Sequence, residues 1–209
     1  MHFSIQPNLN SRESLAVFSC VARYGVTYKI SKDPIDAVPI GSVSYCERFL
    51  SKPPVVDFYP EFLNRFLNRE IESKSFATSF VLQRDCFIKD SSGWKTDFVS
   101  RVYNAGEQIP SGNYLFSDII SIHNEWRYYV CNGKVICSGW YDGKEESDAP
   151  VLDFQFPEWY NGVVDFGMSD YGLTLIESHA PYACGWYGEK HIDYVTWQYK
   201  AWKSYDKRI

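Results

Sequence analysis

What this sequence lacks narrows its role before any motif is read. No stretch of its 209 residues approaches the roughly 18 consecutive apolar residues of a membrane-spanning helix. The opening MHFSIQPNLN has neither a basic start nor an apolar run and does not read as a signal peptide, so a cytoplasmic protein with no membrane partner is expected. An excess of positive charge is missing too: 21 Lys and Arg stand against 26 Asp and Glu, a net charge of −5. That balance argues against a protein that grips a nucleic-acid backbone, while leaving room for a local basic pocket. The six cysteines (Cys20, Cys46, Cys86, Cys131, Cys137 and Cys184) show no C-x-x-C spacing and mostly sit in apolar surroundings. They read as reduced core thiols, not as a disulfide framework or a zinc site. There is no internal repeat and no low-complexity segment. Aromatic residues, by contrast, make up 18% of the chain. Such a load more often fills a core than lines a glycan-binding face. By length the chain is one domain, or two small ones sharing an interface.

Along the chain, His2 to Gln6 alternates like a first strand. Ser11-Arg12-Glu13-Ser14 resembles a helix start ahead of Leu15, Val17, Phe18 and Val21, and Gly25 is a helix stop. Val26 to Ile30 reads as a second strand, giving a small α/β unit. Asp33 to Pro39 is expected to be a loop. Gly41-Ser42 precedes a short apolar-periodic run through Leu50 and serves either as a plain cap or as an anion site. Tyr59 to Ile71 is expected to be a helix with Phe62, Leu63, Phe66 and Leu67 on one side. Phe76 to Lys89 should be strand-rich. Lys89 and Lys95 flank the small-residue loop Ser91-Ser92-Gly93. Such a pair can hold nucleotide phosphates, although a solvated strand end is the commoner role of any one lysine. Asn113 to Ile122 reads as a strand containing Ser117, Asp118, Ile119 and Ile120. Glu125 to Val130 and Lys134 to Trp140 form a hairpin about Asn132-Gly133. Asp153 to Tyr160 is a helix or an irregular lead. Ile192, Val195, Tyr199 and Trp202 space a C-terminal amphipathic helix.

The stretch Gly162 to Gly188 holds the clearest chemistry. Asp165 and Glu177 are equidistant from Tyr171. A hairpin with an odd-length loop would set them opposite each other, about 4.5–5.5 Å apart at Cβ. An even loop would send them to opposite faces. His179 shares the face of Glu177 by strand alternation. Two carboxylates that close call for something positive between them, and a hard divalent cation suits them. The plain alternative is polar residues at strand ends.

Taken in order, FIKD, a loop with WK, NEWRYYVCNGKV, VVDFG and LIESHAPYACGWYG resemble the ATP-grasp superfamily. The closest likeness is to its compact clade named for two arginines and one lysine. The resemblance implies an α+β, two-lobed fold, with residues 76–209 as the ATP-grasp-like domain and 1–75 as a preceding α/β region. It implies an ATP-dependent carboxylate–amine or carboxylate–thiol ligase acting through an acyl-phosphate. The alternative is a catalytically weak nucleotide-binding or partner-binding protein on the same fold. Lys89 and Lys95 would contact ATP phosphates, and Ser117 to Ile120 would be the hinge against adenine. Arg127 would lie over the phosphates or an acyl-phosphate, making Arg127 and Lys95 the catalytic cations. Asp165 and Glu177 would hold Mg²⁺, or Mn²⁺. The family usually has Asn where this chain has His179, a softer ligand that joins the metal-side residues. The acceptor would be a small molecule or a peptide. Removing either acid is expected to stop Mg-dependent ATP turnover and to leave the fold intact.

Overall fold

A computed structural model describes residues 1–52 and 54–206. The N-terminal unit is built on β1 (His2–Ile5), paired in parallel with β2 (Thr27–Ile30) on one side and β3 (Val38–Ile40) on the other. Between β1 and β2 runs α1 (Arg12–Tyr24). Ser11 caps it as expected: the Ser14 N–H donates to the Ser11 hydroxyl, and the Ser11 N–H donates to that of Ser14. Gly25 closes it in the left-handed conformation. The expected loop Asp33–Pro39 is cut short by β3. Pro39 is tolerated there because β3 is an edge strand. Ser42 caps the short α2 (Val43–Glu47) by accepting from the Tyr45 N–H at 3.2 Å, so Gly41-Ser42 acts as a cap.

Tyr59–Ile71 is not one helix. A 3₁₀ helix spans Glu61–Phe66 and follows Pro60. Asn68 then takes a positive φ of 51°, which a helix cannot continue through, and Ile71 already opens β4 (Ile71–Phe76). There follow β5 (Phe80–Val81), β6 (Cys86–Asp90), β7 (Arg101–Tyr103), β8 (Gln108–Ile109) and β9 (Gly112–Ser117). They form an antiparallel sheet in the order β4-β9-β6-β7, with β5 and β8 paired beside it. Leu82, Ile88, Ile109, Tyr114 and Phe116 make the core of this smaller lobe. The strand expected to run to Ile122 stops at Ser117. Ser117 pairs with Ile71, the first residue of β4, so the ladder on that side ends there. Residues 118–121 are an irregular connection into the second lobe.

The second lobe is an antiparallel sheet in the order β11-β10-β12-β13, made of β10 (Ile122–Cys131), β11 (Lys134–Gly143), β12 (Gly162–Ser169) and β13 (Gly172–His179). One face carries Trp126, Tyr128, Val130, Val164, Phe166 and Leu175 against Leu63 and the irregular aromatic segment ending at Tyr160. The other carries Tyr129, Cys131 and Val163 against the N-terminal unit and α3 (His191–Asp206). Trp197 of α3 is fully buried, and its indole N–H donates to the Val130 carbonyl at 2.9 Å. Burying a side chain of that size stabilises the docked helix by about 2–3 kcal/mol. The mixed α+β class expected from the sequence is the one observed.

Gly133 ties the β10–β11 turn to the aromatic segment. Its φ is +72°, and a Cβ there would lie 2.7 Å from the Pro157 carbonyl oxygen. Gly133→Ala is expected to cost about 1–3 kcal/mol, read as a fall of several degrees in thermal melting.

Candidate active site

The site begins with one cross-strand row. Gly139 of β11, Arg127 of β10, Asp165 of β12 and Glu177 of β13 are successive partners across the second lobe's sheet. The acids do lie opposite each other, but not by the route the sequence suggests. The turn between Ser169 and Gly172 has two residues, an even loop that by itself would split them. A β-bulge at Ile176 inserts one extra residue between the Phe166–Leu175 and Asp165–Glu177 pairs. Leu175 therefore faces the core and Glu177 the cleft, although they are two residues apart. A bulge beside a site commonly re-aims a side chain in this way.

Each acid is met by a cation of the protein. Arg127 is 5% exposed and Asp165 2%, and the pair is bidentate, with Nε to Oδ1 at 2.7 Å and a terminal nitrogen to Oδ2 at 2.5 Å. Burial works against the guanidinium charge, and the Asp165 carboxylate more than offsets it, so Arg127 stays charged. Lys89, reaching over from β6 of the other lobe, donates to Glu177 Oε2. Burial raises the Glu177 carboxyl and the Lys89 ammonium outweighs it, leaving Glu177 below its ordinary range. Lys95 likewise crosses between lobes, donating to the Ala183 carbonyl.

Two cavities meet at this row. The larger, about 940 Å³, is lined by Lys95, Arg127, Glu177 and His179, and by residues 11–13 and 41–44 of the N-terminal unit. The smaller, about 250 Å³, lies beyond Lys89 and Glu177. Its wall is mainly apolar, with Phe87, Val102 and Ile122 among its residues, and it includes Ser117, Asp118, Ile119 and Ile120. Asp118 is also paired with Arg84 at 2.8 Å. The sequence-expected residues Lys89, Lys95, Ser117–Ile120, Arg127, Asp165, Glu177 and His179 thus line one continuous region, except that the side chain of Asp165 is sealed beneath Arg127.

His179 does not form a three-ligand cluster with the two acids; among the described residues no group of three His, Cys, Asp or Glu is placed to hold a metal. Its Nδ1 lies 2.8 Å from the Ala180 carbonyl, which can only accept, so Nδ1 carries the proton. Nε2 is then a buried lone pair without a partner. Burial holds the imidazole near a pKa of about 3, hence neutral. Its ring packs at 4.4 Å from that of Trp94, the residue just before Lys95. Both Asp165 oxygens accept from Arg127, so Glu177 is the acid of the pair that faces the cleft, and it is held by Lys89.

Several residues outside the expected set also belong to the site. Glu125 lies two positions before Arg127 in the E-W-R strand, facing the same side, and lines the smaller cavity. Burial and the nearby Asp165 and Glu177 charges push its carboxyl up to about 8. Tyr187, inside the G-x-Y-G motif, packs on Arg127 with 5.2 Å from guanidinium to ring centre. Gly139 makes that possible: a Cβ there would meet the Tyr187 carbonyl oxygen at 2.3 Å. Arg69, whose guanidinium donates to the Leu175 carbonyl at 2.8 Å and holds β13 beside the bulge, gave no signal in the sequence.

A two-lobed fold closing on this row defines the class as an ATP-grasp domain. The model of an ATP-grasp domain family, the second family of the clade named for two arginines and one lysine, matches residues 66–197, and the chain belongs to that family. No curated protein matches the chain.

The Glu125 carboxyl is expected to make stability fall with pH. The folded group titrates near 8 and an unfolded glutamate near 4.3, so the native state holds an extra proton between those values. The associated stability is present below about pH 4 and is lost as pH rises through about 8, at up to roughly 1.4 kcal/mol per pH unit. Glu125→Gln should flatten this slope in denaturation measured from pH 5 to 8.5. Gly139→Ala should displace the Tyr187 loop and weaken any ligand in the larger cavity, as read by calorimetry, at a cost of about 1–3 kcal/mol.

Proposed function

We propose that this protein is an ATP-dependent carboxylate–amine or carboxylate–thiol ligase that forms ADP and phosphate through an acyl-phosphate. ATP-grasp domains suggest ATP-dependent ligation at the level of the superfamily. The observation that carries the reading here is the charged row at the junction of the two cavities, with Lys89 and Lys95 on one lobe facing Arg127, Asp165 and Glu177 on the other.

In this reading adenine occupies the smaller, mainly apolar cavity against Ser117–Ile120, and the phosphates pass the Lys89–Glu177 pair into the larger one. Lys89 exchanges its bond to Glu177 for phosphate oxygens. Lys95 and Arg127 face the γ-phosphoryl group, where charge builds as a substrate carboxylate oxygen bonds to phosphorus and the bridging P–O bond to ADP breaks. Asp165 holds Arg127 in its orientation and does not itself reach substrate. Glu177, freed from Lys89, would hold a Mg²⁺ or Mn²⁺ ion, which when bound neutralises phosphate charge, and Asp165 would contribute only by adding negative charge behind it. An amine nitrogen (or thiol sulfur) then bonds to the acyl carbon as phosphate leaves. The loop at 90–93, closing over the phosphates, excludes the water that would hydrolyse the acyl-phosphate. A small molecule or a peptide is the acceptor.

A nucleotide-binding protein without turnover is the second reading. It is favoured by His179 at the position where the family usually has Asn, and by the engagement of both Lys89 and Arg127 with carboxylates. Mass spectrometry for ADP separates the two: ATP that raises the melting temperature yet yields no ADP with any acceptor supports the second.

Glu177→Gln is expected to lower Mg-dependent ADP formation by about 100-fold or more while the variant remains folded. Full turnover in this variant would overturn the ligase assignment. Asp165→Asn is not an equivalent probe. It strands the buried Arg127 charge, at about 3–5 kcal/mol, so an intact fold is expected of the Glu177 variant and not of the Asp165 one.

A further inference from the structure

We infer that Arg12 is a specificity residue that holds a second anionic group of the donor, so that the acid activated here is a small dicarboxylate. This rests on the ligase reading above. Arg12 lies in the N-terminal unit, before the span 66–197 that the family model covers, and it lines the larger cavity. Its guanidinium carbon is 5.0 Å from the centre of the Tyr187 ring, and that of Arg127 is 5.2 Å from the same centre. The two guanidinium groups therefore lie within about 10 Å of each other along one cavity wall.

The other charged side chains of that wall have partners. Arg127 is bound by Asp165, Lys95 by the Ala183 carbonyl and Glu177 by Lys89. Glu13 accepts from the Gly185 N–H at 2.8 Å, and Glu47 accepts from the Tyr182 hydroxyl at 3.2 Å. Among the described residues Arg12 has no ion pair and donates to no acceptor; its one contact of this kind is the face of Tyr187, which leaves the fork of N–H groups free. A planar fork of donors matches a carboxylate. The helix dipole does not account for its position. Arg12 is the first residue of α1, where the helix dipole favours acids and a cation is unfavourable.

A dicarboxylate fits both guanidinium groups. One carboxylate, beside Arg127 and Lys95, takes the γ-phosphoryl group as ADP leaves. The other is unchanged by the reaction and sits in the Arg12 fork. A monocarboxylate would leave that fork empty, and a cationic amine would meet it as a like charge.

The test titrates succinate, glutarate and butyrate into the full-length protein with Mg²⁺ and a non-hydrolysable ATP analogue, by calorimetry. Butyrate has the four-carbon chain of succinate and a single carboxylate. The better dicarboxylate should bind at least about tenfold tighter than butyrate. Arg12→Gln should erase that preference while the analogue's own affinity and the melting temperature stay within error, and Arg12→Lys should restore part of it. Equal binding of mono- and dicarboxylates to the natural protein, or a preference that survives Arg12→Gln, overturns the assignment and leaves the ligase reading standing. Failure of the natural protein to bind the analogue at all sinks both.

Discussion

The buried pair of Arg127 and Asp165 is the constraint on which the rest of the site depends. A guanidinium and a carboxylate so far removed from water are tolerated only because each satisfies the other in two hydrogen bonds. Their geometry fixes β10 against β12, and the next partner in the row, Glu177, inherits its position from Asp165. Lys89 then carries the charge pattern into the other lobe. Along the row two cations enclose two acids: Arg127 meets Asp165 within one sheet and Lys89 meets Glu177 from the other lobe, so each acid has its own cation in a cleft shared by two lobes with separate cores.

The lobes contribute different things. The second lobe is packed on both sides, with aromatic cores on both faces of one sheet and α3 bound through Trp197. The smaller lobe offers two lysines on β6 and the loop after it, and both are held by groups of the second lobe. These lysines can change partners, because an ammonium is a point charge with no fixed fork. Arg127 cannot do so as easily. A division between fixed and exchangeable cations suits a site that must admit a polyanion and then release one.

The N-terminal unit is joined to this machinery by more than chain continuity. Glu13 holds the Gly185 N–H, and Tyr182 donates to Glu47, so the segment after β13 is tied to α1 and α2. The same segment carries Tyr187, whose ring packs on Arg12 from the N-terminal unit and on Arg127 from the sheet. Whatever enters the larger cavity is therefore met by a wall whose residues come from both ends of the chain.

How much of this was legible in the sequence depends on range. The Ser11 cap, the Gly25 stop, the Asn132-Gly133 turn and the spacing of α3 are local signals, and each stands where local chemistry puts it. Lys89, Arg127, Asp165 and Glu177 were recognisable as a set by residue type and order. The expected helix at Tyr59–Ile71 failed because its apolar spacing is equally served by one 3₁₀ turn followed by a strand, and only the partner strand β9 decides between them. The bulge at Ile176 was invisible for a related reason: no residue type demands it, and it exists because Leu175 must reach the core while Glu177 must reach the cleft. Alternation, caps and turn residues are properties of neighbours along the chain, and the sequence by itself determined them. Register, the pairing of Lys89 with Glu177, and the meeting of Arg12 with Arg127 over one ring join residues far apart in the chain, and burial in the tertiary structure decided those.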